Sequence, residues 1–300
     1  MSARELPLRG TWTALVTPFG AARGGNDPPL DLDALDALVD AQIAAGVDVL
    51  VPCGTTGESP TLSHDEHDAV VARVVRRAAG RVPVVAGAGS NCTHEAERLI
   101  ASAAAAGADG VLVVCPYYNR PSQRMLLEHF ATLADGSRVP IVLYNIPGRT
   151  GVNLEPESVA RLAAEHPRIV AIKEAAGSVE QVARIRTLSP IAILSGDDAL
   201  TLPMMTVGAT GVVSVASNVV PRAVCDLVRL AEGGHLHEAA AAHARLLPLF
   251  RALFVEPNPV PVKCALRLLG RGNGLVRRPL LPALAETEAR LRELLAAVSA

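Results

Sequence analysis

Lys173 is the side chain whose position in this sequence points most directly to covalent chemistry. It follows the apolar run of residues 169–172, which has the composition of a buried strand. A charged amine is costly to bury, whereas a neutral amine can attack a carbonyl carbon and form an imine. Lowering a lysine pKa from about 10.4 to about 7 costs on the order of 4–5 kcal/mol. The pattern indicates an imine-forming lysine; a partly exposed lysine closing an edge strand is the alternative that position alone leaves open.

Lysine is also scarce in this chain. Only Lys173 and Lys263 are present, and the other 26 basic side chains, histidine aside, are arginine. Arginine stays protonated and cannot act as an imine-forming nucleophile. A lysine retained at a strand end therefore favours a requirement for amine chemistry.

Strand-like and helix-like patterns alternate along most of the sequence. Predicted strands cover residues 11–17, 47–52, 81–86, 110–115, 139–144, 168–173, 191–195 and 211–215. Predicted helices cover residues 31–45, a segment capped by Ser63 and Glu66, then 93–107, 122–134, 157–165, 178–188 and 199–207. Further helices, with proline and glycine breaks, are predicted at 221–230, 236–254 and from 259 onward.

Eight apolar strands, each followed by a helix, predict parallel strands buried on both faces, and eight such strands close a barrel. We therefore predict an α/β fold: a (β/α)8 TIM barrel in residues 1–220, with a small helical domain in residues 221–300. A doubly wound open sheet is the alternative, although its G-x-G-x-x-G fingerprint is absent after the first strand.

Polar residues cluster where the predicted strands end, which is where barrel enzymes carry their active sites. These residues are Thr55 and Thr56 after strand two, Tyr117 and Tyr118 after strand four, Tyr144 and Arg149 at the end of strand five, Lys173 in strand six, and Gly196 after strand seven. All three tyrosines of the chain lie at two of these ends. The threonine loop could hold a carboxylate or a phosphate, a tyrosine could transfer protons, and Arg149 could bind a carboxylate through two hydrogen bonds.

Composition excludes several classes of function. The net charge of −2, with both signs mixed along the chain, provides no basic surface for nucleic acid or membrane. No apolar run approaches the roughly 20 residues of a membrane span, and residues 1–10 lack a secretion signal. The five widely spaced cysteines predict buried thiols in a reducing compartment, so we expect a cytoplasmic protein. His64 and His67 lack a metal-binding motif, so neither a metal nor a cofactor is predicted.

Six stretches make the sequence similar to a known family. They are residues 54–59 (GTTGES), 116–123 (PYYNRPSQ), 144–151 (YNIPGRTG), 172–175 (IKEA), 195–198 (SGDD) and 256–263 (EPNPVPVK). These stretches occur in the same order as in the dihydrodipicolinate synthase family of class I aldolases, and the chain resembles that family. Its members form Schiff bases on a (β/α)8 barrel.

The resemblance implies a specific reaction. Family members condense pyruvate with L-aspartate 4-semialdehyde to give 4-hydroxy-tetrahydrodipicolinate, on the route to diaminopimelate and lysine. Lys173 matches the imine-forming lysine. The proton relay matches Thr55, Tyr144 and Tyr118, with Tyr118 supplied by a neighbouring subunit. Substrate-binding positions match Thr56, Val213, Gly196 and Arg149, of which Arg149 receives the semialdehyde carboxylate. A homotetramer built from two tight dimers is expected.

The resemblance also implies regulation by L-lysine. Six residues match the feedback site of lysine-sensitive members: Ser59, His64, His67, Asn91, Glu95 and Tyr117. Glu95 suits an ammonium, and Asn91 with Tyr117 suits a carboxylate. Pro60 stands where a small residue is common and could reshape this site.

Three alternatives remain at this level. N-acetylneuraminate lyase and keto-deoxy-sugar aldolases share the lysine and the strand-five tyrosine. A catalytically silent sensor on the same barrel is a second alternative, and a metal-dependent class II aldolase is a third.

Overall fold

Eight parallel strands form a ring in the computed structural model, which describes residues 6–21 and 27–299. The strands are β1 (Gly10–Ala14), β2 (Val49–Val51), β3 (Val85–Gly87), β4 (Gly110–Val114), β5 (Ile141–Asn145), β6 (Ile169–Glu174), β7 (Ala192–Ser195) and β8 (Gly211–Ser214). Their order is β2-β1-β8-β7-β6-β5-β4-β3. A parallel bridge between Leu50 and Val84 joins the two ends. The (β/α)8 barrel is therefore confirmed, and the open doubly wound sheet is excluded.

Helices connect the strands and cover the outside of the ring. They are α1 (Leu32–Ala45), α2 (His64–Ala78), α3 (Thr93–Ala105), α4 (Gln123–Gly136), α5 (Pro147–Thr150), α6 (Pro156–Glu165), α7 (Val179–Leu188), α8 (Thr201–Thr206), α9 (Pro221–Glu232), α10 (Leu236–Ala252), α11 (Val260–Leu268) and α12 (Ala285–Ser299). The predicted capping box of Ser63 and Glu66 begins α2, and Gly46 ends α1 with a left-handed φ of 85°.

Side chains alternate between the barrel interior and the helix layer. The interior cluster comprises Leu6, Trp12, Ala14, Val49, Val51, Val85, Leu112, Val142, Tyr144, Ala171, Leu194 and Val213. The intervening residues Leu143 and Ile172 belong to the larger cluster between strands and helices. Because successive strand residues face opposite sides, Lys173 shares the face of Ala171 and lies inside the barrel.

Several element boundaries differ from those predicted. β1 ends at Ala14 rather than at residue 17, because the Asn218 side chain forms the hydrogen bonds that a neighbouring strand would otherwise form. Asn218 Oδ1 accepts from Val16 N at 3.1 Å, and Asn218 Nδ2 donates to Ala14 O at 2.7 Å. The predicted strand at 81–86 starts only at Val85, after Pro83, which has no N–H to donate. The one-turn helix α5 was not predicted; it begins at Pro147, which suits a first helical position.

We call residues 236–299 the C-terminal segment. Helix α9, which precedes it, packs directly on the barrel, and Arg229 Nη2 donates to Gly46 O at 2.9 Å. The region from residue 259 onward, predicted to be helical with proline and glycine breaks, consists of α11 and α12 separated by irregular chain. The division of the chain after residue 220 stays a prediction.

Two further expectations concern the cysteines and the membrane. Cys53, Cys115, Cys225 and Cys264 are buried and unpaired as expected, but Cys92 is exposed, because it occupies the N-cap of α3. Within the two described ranges, no helix is both long and apolar enough to cross a membrane.

Candidate active site

Lys173 and Tyr144 lie side by side inside the carboxyl end of the barrel. They are paired across the neighbouring strands β5 and β6, and each is about 5% exposed. Lys173 Nζ lies 4.1 Å from the centre of the Tyr144 ring. Within the described part of the chain, the lysine that forms an ion pair is Lys263, whereas the Lys173 amine lies over this ring. The amine therefore faces the phenol ring of Tyr144 rather than a carboxylate.

Gly196 makes room for the Lys173 side chain. A Cβ added at Gly196 would lie 3.1 Å from Lys173 Cε and 2.5 Å from Ala175 Cβ. A side chain at this position would therefore displace the lysine. The role of Gly196 in substrate binding stays a prediction. The structure adds a second reason for glycine at this position, which is the space that the Lys173 side chain needs.

The threonine loop, which we define as residues 53–58, follows β2. Its two ends, Cys53 and Glu58, have left-handed φ values of 56° and 55°, which non-glycine residues adopt at a cost of about 1–3 kcal/mol. Gly57 packs against Cys53 so closely that an added Cβ would lie 3.0 Å from the Cys53 backbone nitrogen. Surrounding contacts must therefore hold this conformation.

Thr55 and Thr56 sit at the centre of this loop. Thr55 is partly buried, and Thr56 is 2% exposed. The Thr56 hydroxyl accepts a hydrogen bond from Asn258 Nδ2 at 3.0 Å. The loop is fixed from the other side by Thr17, whose hydroxyl donates to Gly57 O at 2.7 Å.

The turn that follows β8, directly after Val213, is held by a buried carboxylate. Asp198, after β7, accepts from Ser214 Oγ at 2.5 Å and from the backbone nitrogens of Val215 and Ala216 at 3.0 Å each. Burial raises the pKa of Asp198, against the hydrogen bond from Ser214 and those from the backbone. This carboxylate was not singled out from the sequence, although the Asp197-Asp198 pair after a strand was visible.

Two predicted residues project away from the buried part of the site. Tyr118 is 91% exposed and has a left-handed φ of 72°. Arg149 is exposed on the one-turn helix α5, just past the end of β5. Tyr118 is therefore not packed with Lys173 and Tyr144 inside its own barrel.

A buried polar network supports the ends of β5 and β6 from the helix side. Glu174 accepts from Asn145 Nδ2 at 3.1 Å, Gln181 Nε2 at 3.0 Å and Ala176 N at 2.7 Å. Burial raises the pKa of Glu174, opposed by these hydrogen bonds. Because Asn145 and Glu174 directly follow Tyr144 and Lys173, the network fixes the two strand ends that carry the candidate catalytic pair.

The second lysine, Lys263, has a different environment. It is 3% exposed, and its Nζ forms an ion pair with the buried Glu58 carboxylate and donates to Leu275 O at 2.9 Å. Burial lowers the pKa of Lys263 to about 8, opposed by the attraction of Glu58. Lys263 is thus tied to the threonine loop, whereas Lys173 pairs with no carboxylate of residues 6–21 and 27–299. Lys263 and Asn258 are visible in the sequence as polar residues within an apolar, proline-rich stretch. The sequence does not show which residues they contact.

A separate cavity of about 320 Å³ contains most of the predicted lysine-site residues. It is lined by Ser59, Pro60, Leu62, His64, His67, Gly87, Gly89, Ser90, Glu95, Leu99 and Tyr117. Asn91 is outside this lining, and its backbone oxygen accepts from Asn119 Nδ2 at 2.9 Å. The structure thus brings together five of the six residues.

The charges in this cavity are defined by its hydrogen bonds. His64 Nε2 lies 2.8 Å from Glu95 Oε1, and Ser90 also donates to the Glu95 carboxylate. The Ser90 hydrogen bond, followed by that of His64, lowers the pKa of Glu95. Burial lowers the pKa of His67, whose Nε2 lies 2.8 Å from Gly87 O. The cavity therefore presents the Glu95 carboxylate, and burial favours the neutral form of His67.

The histidines do not assemble a metal site. In residues 6–21 and 27–299, no three side chains of histidine, cysteine, aspartate or glutamate come together in a way that could hold an ion.

Comparisons with known proteins agree with this geometry. The model of the dihydrodipicolinate synthetase family matches residues 7–298. A 4-hydroxy-tetrahydrodipicolinate synthase of Methanothrix thermoacetophila is 52% identical over 295 residues, which is 97% of each chain. The structure of a dihydrodipicolinate synthase from Cyanidioschyzon merolae with lysine bound is 42% identical, with a TM-score of 0.93 over 97% of this chain and 98% of that one.

A second solved structure shows the same similarity. It is the chloride-inhibited dihydrodipicolinate synthase of Acinetobacter baumannii in complex with pyruvate, 38% identical, with a TM-score of 0.93 over 98% of this chain and 99% of that one. The match of sequence and fold extends over nearly the whole chain, and every strand-end motif lies inside it. This chain belongs to the dihydrodipicolinate synthetase family.

Proposed function

We propose that this enzyme condenses pyruvate with L-aspartate 4-semialdehyde through a Schiff base on Lys173, giving 4-hydroxy-tetrahydrodipicolinate for diaminopimelate and lysine synthesis. The observation that carries the proposal is the buried Lys173 amine, 4.1 Å from the Tyr144 ring centre and without an ion-pair partner in the described chain. The related structure in complex with pyruvate supports the choice of the first substrate.

The proposed reaction passes through an imine and an enamine and ends with ring closure. Lys173 Nζ attacks C2 of pyruvate, and the loss of one water gives the imine. Loss of a methyl proton gives an enamine, whose carbon forms a bond to the aldehyde carbon of the semialdehyde while the aldehyde oxygen gains a proton. The amine of the second substrate then attacks the imine carbon, closes the ring and releases Lys173. An unpaired lysine next to a hydroxyl acid–base group suits this sequence.

The surrounding residues divide these tasks. Tyr144, Thr55 and Tyr118 transfer protons, and Thr56 with the backbone of Val213 and the space at Gly196 receives pyruvate. Arg149, exposed at the mouth of the barrel, binds the semialdehyde carboxylate through two parallel hydrogen bonds from its guanidinium group. The burial of Tyr144 and Thr56 and the exposure of Arg149 support this division between an inner and an outer substrate.

The complete site would require a second copy of the chain. Tyr118 is 91% exposed, in a strained left-handed conformation, beside the exposed Tyr117. An aromatic side chain held outward in this way is suited to insertion into a partner. We propose a homo-oligomer, a tetramer of two tight dimers, in which Tyr118 enters the neighbouring active site.

L-Lysine would regulate the enzyme from the 320 Å³ cavity. Glu95 offers the negative charge for an ammonium group, and Tyr117 and the histidines line the remaining wall. The related structure with lysine bound supports this assignment. The unpaired cysteines of the described chain suit a reaction in the cytoplasm.

Borohydride trapping tests the proposed function. The enzyme is reduced in the presence of pyruvate, and the adduct is measured by intact mass and located by peptide mapping. We expect one reduced pyruvate on Lys173. In a separate assay, the unreduced enzyme should turn over L-aspartate 4-semialdehyde but not N-acetylneuraminate or a keto-deoxy-sugar acid. An adduct on Lys263, or activity lost to a chelator without any adduct, would overturn the mechanism.

A further inference from the structure

The C-terminal segment contacts the threonine loop at two points. Asn258, just before α11, donates from Nδ2 to the Thr56 hydroxyl at 3.0 Å. Lys263, one turn into α11, forms its ion pair with Glu58 at the end of the loop. A third group, the backbone nitrogen of Arg277, donates to Glu58 Oε2 at 3.0 Å. Both the central threonine and the final glutamate of the loop are therefore held by residues more than 200 positions later in the chain.

The first contact determines which way the Thr56 hydroxyl points its proton. A threonine hydroxyl has one hydrogen to donate and two lone pairs to accept. Because an amide nitrogen can only donate, Asn258 Nδ2 uses a lone pair of Thr56 and leaves the proton free for another acceptor. The carboxylate of pyruvate is an acceptor only, so this arrangement prepares Thr56 to bind it.

The second contact holds the end of the loop in its left-handed conformation. Glu58 is 2% exposed, and its two carboxylate oxygens are occupied by Lys263 and Arg277. Lys263 Nζ lies 3.9 Å from the centre of the Phe19 ring, so the pair is enclosed by apolar surface. A buried ion pair contributes little net stability but strongly disfavours the loss of one partner. Its structural effect is to fix Glu58, and hence the loop, in one place.

We propose that Asn258 and Lys263 are positioning residues for pyruvate recognition: Asn258 sets the direction of the Thr56 hydroxyl, and Lys263, through Glu58, fixes the loop that carries it. This inference rests on the proposed function, since it concerns the carboxylate of the pyruvate that reacts with Lys173. Neither residue touches the reacting atoms.

The isosteric variant Asn258→Asp tests whether Asn258 sets the direction of the Thr56 hydroxyl. A carboxylate cannot donate, so it would accept the Thr56 proton and also repel the pyruvate carboxylate. We expect KM for pyruvate to rise about tenfold or more, corresponding to about 1.4 kcal/mol or more of lost binding, while kcat changes less than about threefold. Asn258→Ala, which leaves Thr56 free to rotate, should raise KM by a smaller factor.

Asn273→Asp is the matched control. Asn273 lies in the same C-terminal segment but donates to Phe19 O rather than to the threonine loop. The same chemical change there is expected to lower the melting temperature without raising KM for pyruvate. An Asn258→Asp enzyme whose pyruvate KM stays within about twofold of the parent, or is raised no more than that of Asn273→Asp, would overturn the role of Asn258.

The double variant Glu58→Gln/Lys263→Met tests whether Lys263, through Glu58, fixes the threonine loop. Single loss of Lys263 would leave a buried, unpaired carboxylate and could prevent folding, whereas the double variant removes both charges. We expect it to fold and to show a pyruvate KM raised about fivefold or more, with the borohydride adduct still on Lys173. A pyruvate KM equal to that of the parent, with only the melting temperature lowered, would overturn the role of Lys263. Absence of an adduct in the parent enzyme would instead contradict the proposed function.

Discussion

Lys173 and Tyr144 are register partners on adjacent parallel strands, and their side chains meet at 4.1 Å between the amine and the ring centre. The pairing follows from the hydrogen-bond register of β5 and β6 and from the shared inward face of the two positions. Burial and the glycine at 196 leave the amine one defined space. The geometry of this candidate catalytic pair is therefore determined by the barrel strands and not by a loop.

Tyr144→Phe should separate proton transfer from imine formation. The variant keeps the ring that packs on Lys173 and loses only the hydroxyl. We expect kcat to fall by about 10²–10⁴, the usual contribution of a general acid–base group, while borohydride still traps pyruvate on Lys173. Steady-state kinetics with trapping on the same sample checks this. A variant with parent-like kcat would remove Tyr144 from the relay.

Tyr118 can be tested by mixing two inactive proteins. Lys173→Ala lacks the nucleophile and should form no adduct, and Tyr118→Phe should lower kcat far more than it weakens pyruvate binding. If Tyr118 enters the neighbouring site, a mixed dimer has one site with both an intact Lys173 and an intact Tyr118. Dissociating and reassociating the two variants together should therefore restore activity. Lack of recovery, with mixed dimers verified by native mass spectrometry, would place Tyr118 outside the relay or within its own site.

Glu95→Gln should weaken inhibition by L-lysine without affecting catalysis. We expect millimolar L-lysine to inhibit the parent enzyme and the half-inhibitory concentration to rise about tenfold or more in the variant. The reason is that an ammonium group of the ligand would lose the one carboxylate that lines this cavity among the described residues. Glu97→Gln, on the same helix but outside the cavity, is the control and should keep parent sensitivity. Initial rates unchanged at millimolar lysine in the parent would contradict the assignment.

His129 should make the fold sensitive to acid. Its side chain is buried beside Thr93, and burial lowers its pKa from 6.5 to about 4. Because the unfolded state binds this proton more readily, stability is retained above pH 6.5 and is lost as the pH falls from 6.5 towards 4. At pH 5 the loss is about 2 kcal/mol.

The measurement is urea unfolding of the parent and of His129→Gln at pH 7.5 and pH 5, at one protein concentration. The variant cannot gain a proton at this position, so its stability should fall by about 2 kcal/mol less than that of the parent between the two pH values. Equal losses in the two proteins would show that His129 is not kept neutral by the fold.

The barrel and its strand ends could be predicted from the sequence, since both depend on local patterns. Eight apolar runs alternating with helices determine the architecture, and Lys173, Tyr144 and Thr56 follow from their positions after those runs. Boundaries were less certain where a side chain replaces the ladder, as Asn218 does after β1.

Long-range polar contacts could not be predicted in this way. Glu58, Asn258 and Lys263 were visible as residues of matching stretches, but no local pattern shows that an amide at 258 bonds a hydroxyl at 56. The exposure of Cys92 was missed for a related reason, because hydrophobicity alone suggests a buried thiol. The role of Gly196 as space for a lysine likewise depends on two strands that are separate in sequence.

The hydrogen bond between Asn258 and Thr56 joins residues 202 positions apart, and the Glu58–Lys263 pair joins residues 205 apart. During translation Lys173 and Tyr144 therefore leave the ribosome well before the residues that hold the threonine loop. Contacts of this span form late, because a long loop must close first. A nascent chain would carry the proposed imine-forming lysine before the contacts that hold the threonine loop have formed. On the proposed roles, selectivity for pyruvate would be acquired only when synthesis nears its end.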